Sequence, residues 1–263
     1  MKIILFLILA TGLVFFLSYL SKNESANIKN IDIFGNSVTH SQDVLEIANK
    51  NIEGNYLGLF SKRNFLLYPK SKIKKDILNA FLRIETVNLA RESFANFQSI
   101  KINITERKPD ALYCDYLASE LPDVEECYFM DENAFIFDRA PTFSENVYFK
   151  YYGGDVSTTT ENKIVGQTFL ASAPTGQFEK VNLLIRYLKD INIDVYKLTV
   201  KKNGDYELYF DKESKLIFDE KQDFGIILEN LRAVLIDLGD LEGKEFEYID
   251  LRFNNKIPYK FRE

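Results

Sequence analysis

The feature that most constrains this chain is near its start: Ile3 to Leu20 is an unbroken run of eighteen residues without a charge. Only Thr11, Gly12, Ser18 and Tyr19 soften it. A helix rises about 1.5 Å per residue, so such a segment just reaches across a hydrocarbon core of roughly 30 Å. Tyr19, near its end, suits the boundary between membrane and water. The competing reading is a cleaved secretory signal. Signal-peptide apolar regions are usually shorter, and Ser21-Lys22-Asn23-Glu24-Ser25-Ala26 offers no good small-x-small cleavage site. We therefore expect an uncleaved anchor over residues 3–20, a tail of residues 1–2 before it and a polar linker over 21–27 after it. Charge alone does not orient the anchor, because Lys2 lies on one side and Lys22 and Lys29 on the other.

The remaining chain is long enough for two modest domains, and 46% of the 263 residues are apolar, enough for a real core. A net charge of -6 argues against nucleic acid as a partner, since that role leaves a basic stripe.

Residues 28–107 read as one compact unit. Ile31 and Ile33 alternate as in a strand, which Gly35-Asn36 ends as a turn. Thr39-x-x-Gln42 reads as a capping box opening a helix with Val44, Leu45 and Ala48 inward. A second helix follows Pro69, with Ile73, Ile77, Ala80 and Phe81 on one face. Two strands follow, one with Val87, Leu89 and Arg91 sharing a face, the other with Ile100, Ile102 and Ile104 alternating.

Residues 108–263 are richer in strands. Tyr128 to Phe137 reads as a hairpin turning at Asp131-Glu132-Asn133, and Ser157 to Lys163 as a polar loop. Phe178, Val181, Leu184, Ile185 and Leu188 define an amphipathic helix. Asn203-Gly204 is the strongest hairpin signal in the chain, joining strands near Val195–Lys201 and Tyr206–Phe210. Leu216 to Phe218 reads as a short strand. A second helix carries Phe224, Ile227, Leu228, Leu231, Val234, Leu235 and Leu238 on one face and stops at Gly239. Glu245 to Phe261 reads as one long extended run. The expected fold class is thus α+β: a transmembrane helix, a strand-helix-helix-strand-strand unit, and a mainly antiparallel β domain with two amphipathic helices.

The sequence supplies few groups for catalysis. His40 is the single histidine and falls at a helix start, where a solvated first-turn residue is expected. G-x-S-x-G, phosphate-cradling glycine loops and H-E-x-x-H do not occur. The acidic stretch from Asp115 to Asp138 reads as a solvated face rather than a cation site. We expect no catalytic residues, no cofactor and no metal. Cys114 and Cys127 either close a disulfide or are two unrelated thiols; with one distant histidine they do not make a metal set.

Recognition remains. Leu251, Phe253, Ile257, Tyr259 and Phe261 form a row of large apolar side chains, and Pro258 lies among them. Proline inside sheets is nearly confined to edge strands, and an edge leaves unpaired N–H and C=O groups that another chain can pair with. The apolar residues are all odd-numbered, so they share one face, and that face is either a partner site or the domain's own core. Main-chain pairing survives either outcome. In the first unit Lys62, Arg63, Lys70, Lys72, Lys74 and Lys75 make a basic stretch. Lys72, Lys74 and Lys75 either meet anionic lipid or an acidic partner, or are a solvated helix face.

The order of motifs resembles the FtsQ/DivIB family of bacterial cell-division proteins. After the anchor come Ile31-Asp32-Ile33-Phe34-Gly35-Asn36 and the helix opened by Thr39, and Glu106-Arg107-Lys108-Pro109 is similar to the family's Glu-Arg-x-Pro signature at the exit of its POTRA domain. Cys127 to Asp138 is similar to its first β-domain hairpin, and Tyr248-Ile249-Asp250-Leu251-Arg252-Phe253 to its terminal Asp-Leu-Arg-aromatic strand. The cysteine pair and Asp219-Glu220 depart from the pattern. The resemblance implies a POTRA domain over 28–107 and a β domain over 108–263. It also implies a single-pass protein of the inner (cytoplasmic) membrane, N-terminus inside and bulk outside. Its role would be that of a non-enzymatic divisome scaffold in septal cell-wall synthesis. Implied partners are FtsB/DivIC-like and FtsL-like proteins, met at Arg252, Phe253, Asn255, Ile257, Tyr259 and Phe261. The alternatives are a POTRA-bearing transport or secretion component and a secreted binding protein.

Overall fold

The computed structural model describes residues 2–91, 97–115, 125–143, 147–156, 164–173, 176–210, 214–238, 246–253 and 256–262. They form two compact units of mixed α and β structure, Met1–Arg107 and Lys108–Glu263.

The first unit opens with α1 (Lys2–Ser21). Every large apolar side chain along it is exposed, while Ser18 and Ser21 near its end are buried. A helix apolar on all sides needs an apolar surrounding. By length and composition, α1 can cross a membrane. Next come β1 (Asn30–Phe34), α2 (Ser41–Ile52), the short strands β2 (Asn55–Tyr56) and β3 (Phe60–Ser61), α3 (Lys70–Ala80), β4 (Ile84–Arg91) and β5 (Ser99–Glu106). The sheet order is β1-β5-β4, with β1 parallel to β5 and β4 antiparallel to it. Val44, Ala48 and Ile52 of α2 and Ile73 and Ile77 of α3 pack on Val87, Leu89, Ile100, Ile102 and Ile104. The β2–β3 hairpin between the helices has no counterpart in the sequence reading, since two-residue strands carry no alternation to detect.

Two local expectations are corrected. The start of α2 is not a Thr39–Gln42 capping box: His40 occupies the N-cap position without a side-chain cap bond. The Glu106 carboxylate instead holds the turn that leads into the helix, reaching across from the end of β5 and accepting from the amides of Val38 (3.0 Å) and Thr39 (2.8 Å). Gly35 makes the tight approach possible, because a Cβ there would lie 2.1 Å from the Ile104 carbonyl oxygen. On α3, Ile73 and Ile77 are buried, but Ala80 is exposed, because the helix ends there and the chain turns away through Phe81.

The second unit contains β6 (Ala111–Asp115), β7 (Glu126–Met130), β8 (Ile136–Arg139), β9 (Lys150–Gly153), α4 (Gln177–Asp190), β10 (Lys197–Val200), β11 (Asp205–Tyr209), β12 (Lys215–Asp219), α5 (Phe224–Leu238), β13 (Phe246–Asp250) and β14 (Tyr259–Phe261). Its strands form one large, mostly antiparallel sheet in the order β14-β13-β12-β11-β10-β9-β6-β7-β8. The β9 pairings with β6 and β10, and β12 with β13, are parallel. Phe178, Val181, Leu184 and Leu188 of α4 and Ile227, Leu231 and Val234 of α5 join the main core with Tyr113, Tyr151, Leu198, Tyr206, Phe218 and Phe246. A smaller cluster of Leu112, Cys114 and Tyr152 belongs to the opposite side of the sheet, as alternation along β6 and β9 requires. Cys114 and Cys127, opposed in the β6–β7 register, are joined in a disulfide. The polar loop expected over 157–163 lies outside the described residues.

The extended run expected from Glu245 to Phe261 is not one strand. It is two short antiparallel strands, β13 and β14, separated by a turn at Leu251–Arg252. The reason is local: Asp250 Oδ1 accepts from the Arg252 amide at 3.1 Å, an Asx-type turn that ends β13.

Candidate functional site

The site is the free edge of the large sheet. At one end of that sheet the start of β8 is covered: Ile136 N donates to Gln167 O (2.9 Å) and Gly166 N to Ile136 O (2.7 Å). At the other end β14 pairs with β13 on one side, and its other side carries no strand among the described residues. Of the small sheet's two outer strands, β1 presents exposed Asn30, Asp32 and Phe34, and β4 presents exposed Glu85, Thr86, Asn88 and Arg91, the charged and polar dressing that protects edges from pairing. By contrast, β14 presents aromatics.

Its register sets Tyr259 opposite Ile249 and Phe261 opposite Phe246, so both aromatics share the face of these buried residues. The Phe246 and Phe261 rings stack with centroids 4.7 Å apart, and Tyr259 meets Phe261 edge-on at 5.6 Å. Tyr259 and Phe261 nevertheless remain 41% and 44% exposed. Phe253 is 52% exposed. The result is a ledge of aromatic surface beside unpaired backbone. Phe246, the buried platform beneath it, was not singled out in the sequence, where nothing marks the β-bulge between Phe246 and Tyr248 that aligns it with Phe261.

The strand is held firmly. Asp250 N donates to Pro258 O at 2.8 Å. Arg262 donates to the buried Ser214 hydroxyl, which donates in turn to Phe246 O. Lys260 pairs with Glu247, which raises the ammonium above its ordinary pKa.

The six residues expected at the edge are therefore not one row. Tyr259 and Phe261 lie in β14, and Ile257 packs partly against the core just before it. Phe253 sits past the turn, where the Arg252 guanidinium lies 5.9 Å from its ring centroid. Arg252 is engaged within the chain, donating to Asp250 Oδ2 at 2.5 Å and to Asp205 Oδ2 at 2.8 Å. The hydrogen bond to Asp250 holds its pKa above the usual arginine value, against the effect of burial. Asn255 lies outside the described residues.

On α3, Lys72, Lys74 and Lys75 are all exposed, and Lys72 donates to Asn51 Oδ1 (2.6 Å) and Asp76 Oδ2 (2.8 Å). Cys114, Glu125 and Cys127 lie close enough to hold a metal, but the two sulfurs are bonded to each other and Glu125 accepts from Lys150 and Tyr152. A hollow of about 380 Å³ lined by Tyr148, Phe149, Asp194, Val195, Tyr196 and Phe210 offers one carboxylate and no nucleophile–base pair.

No protein-family model matches this chain, and no curated protein matches it.

Proposed function

We propose that this chain is a membrane-anchored, non-enzymatic scaffold that captures an extended segment of a partner by adding it to the outer side of β14. The observation that carries this reading is the contrast between the sheet's two ends: at one, residues 166–169 cover the start of β8; at the other, no strand among the described residues pairs with the outer side of β14, which is flanked by exposed Tyr259 and Phe261. In β-augmentation, main-chain hydrogen bonds supply affinity and neighbouring side chains supply choice of partner. Lys256 beside the strand would repel a second copy of it. A heterologous partner is therefore favoured over self-pairing.

The motif order makes a division scaffold similar to FtsQ/DivIB the specific form of this proposal. The partners would be small single-pass proteins like FtsB/DivIC and FtsL. The first unit's strand-helix-helix-strand-strand order, with a hairpin inserted between the helices, is compatible with a POTRA domain. The exposed apolar α1 supports a single-pass anchor in the cytoplasmic membrane, and a disulfide in the second unit supports an oxidising compartment for that part.

The test places a photo-crosslinking residue at Phe261 or, as the control, at Thr168 in the segment that covers the start of β8, in the full chain. Irradiated membranes are then read by mass spectrometry. The reading expects adducts with a small single-pass protein at position 261 and none at 168. Equal labelling at both positions, or no adduct at 261, would overturn it.

A further inference from the structure

The serines at the end of α1 are engaged by one short segment. Ser18 Oγ donates to Leu59 O at 2.8 Å, Ser61 N donates to Ser21 Oγ at 3.2 Å, and Asn64 Nδ2 donates to Ser21 O at 3.2 Å. Behind these contacts Ser61 Oγ donates to Asn27 Oδ1 (3.1 Å), Ile28 N to Arg63 O (2.8 Å) and Phe65 N to Ala26 O (3.0 Å). Residues 55–67 are thus fastened to the last turn of the apolar helix. Where that turn lies, the segment lies too.

What this segment presents is unusual for a surface facing water. Leu57 and Gly58 both have positive φ, 50° and 74°, between Tyr56 O and Leu59 N, which hydrogen-bond at 2.9 Å. A left-handed position at a turn tip favours Gly or Asn, and a leucine there is strained. That leucine is also 95% exposed, the most exposed large apolar side chain in the described chain. Leu66 is 68% exposed and Leu67 40%. The Tyr56 hydroxyl donates to Leu67 O at 3.1 Å, joining the turn tip to the 66–67 segment. Lys62 lies over the Tyr56 ring, and Arg63 and Lys22 are exposed beside this cluster in the chain. An apolar tip, a tyrosine and cations at the end of a spanning helix are the composition of a membrane-interface anchor.

We propose that residues 55–67 are a second membrane contact, in which Leu57, Leu66 and Leu67 enter the lipid headgroup–acyl boundary and so fix the first unit against the bilayer. This rests on α1 spanning a membrane. The occupant is lipid rather than a protein because the segment is continuous with α1 through three hydrogen bonds and cannot leave the plane in which α1 ends. The consequence for the scaffold is orientational: a unit held at two points cannot swivel about its anchor.

The sequence contains no tryptophan, so one introduced residue is a unique reporter. Full-length Leu57→Trp, Leu66→Trp, Leu9→Trp and Val38→Trp variants are reconstituted singly into liposomes with lipids brominated at shallow or deep acyl positions. Val38 is 57% exposed and lies beyond the far end of β1 from α1. We expect Leu57→Trp and Leu66→Trp to be quenched more by shallow bromines, Leu9→Trp more by deep ones, and Val38→Trp by neither. No quenching at 57 and 66 with quenching at 9 would overturn the second contact while leaving the span intact. No quenching at 9 would overturn both. Quenching at 38 as strong as at 57 would replace a defined contact with a unit lying flat on lipid, and would also overturn the proposal. Because the liposomes hold no other protein, quenching at 57 reports lipid alone.

Discussion

Phe261 stacks on Phe246 across the last two strands at 4.7 Å, yet Phe246 is fully buried and Phe261 is 44% exposed. One ring belongs to the core and the other lies on its rim. Phe246→Ala is therefore expected to destabilise the second unit by about 3–5 kcal/mol, as a core phenylalanine does. Phe261→Ala should cost only about 1–2 kcal/mol, the lost half-burial plus stacking. Denaturant unfolding of the two variants checks the ratio; equal losses would mean that Phe261 is core rather than ledge.

The Glu106 clamp should make the first unit sensitive to acid. Burial raises the carboxyl's pKa, but the amides of Thr39, Val38 and Ser37 more than offset it, leaving it below the ordinary glutamate value. A depressed folded pKa contributes stability in full above the unfolded value of about 4.3 and loses it as pH falls through the folded one. Glu106→Gln should thus cost about 1 kcal/mol at neutral pH, and the difference from the unaltered protein should shrink as pH falls through the folded pKa, below the ordinary glutamate range. Urea midpoints of both proteins across that range would show it. A gap that does not narrow would rule out the charged clamp.

Arg252 holds the β13–β14 turn by bridging Asp250, which is 5% exposed, to Asp205 on β11. Arg252→Ala leaves two carboxylates without their cation and is expected to cost about 2–3 kcal/mol. Arg252→Lys should recover less than half of that, because an ammonium cannot span two carboxylates as the guanidinium fork does. A double-mutant cycle with Asp205→Ala, read by unfolding, isolates the pair.

The Cys114–Cys127 disulfide joins residues 13 apart in sequence. Closing a loop of that size stabilises by roughly 3 kcal/mol in the chain-entropy model. Cys114→Ala with Cys127→Ala should lower the stability of the second unit by about 2–4 kcal/mol, measured by thermal unfolding under oxidising conditions. Adding a reductant to the unaltered protein should reproduce most of the shift.

Legibility in the sequence followed the physics of exposure. Ile100, Ile102 and Ile104 were readable as a strand because one face of β5 is buried and the other is wetter, which imposes alternation. Asn203-Gly204 was readable because Gly204 takes a φ of 89° between two antiparallel strands. Strands β6 and β9 left no such trace. Ala111, Leu112, Tyr113 and Cys114 are all buried, as are Tyr151 and Tyr152, since the middle of the large sheet is covered on both faces. A strand buried on both sides reads as a plain apolar run. At the candidate site, the proximity of Tyr259 and Phe261 to an edge was readable from Pro258. The break after Asp250 was not, because it depends on where one carboxylate points.

Composition and local pattern were sufficient for the apolar helix and for the amphipathic helices α4 and α5, because each depends on neighbours within a few residues. Tertiary structure alone decided that β14 folds back onto β13, that Glu106 holds the turn before α2, and that Leu57 stands at the end of α1. In each of these a backbone group meets a side chain or another backbone group distant in sequence, and the backbone partner, common to every residue, leaves no signature in the identity of the side chains that flank it.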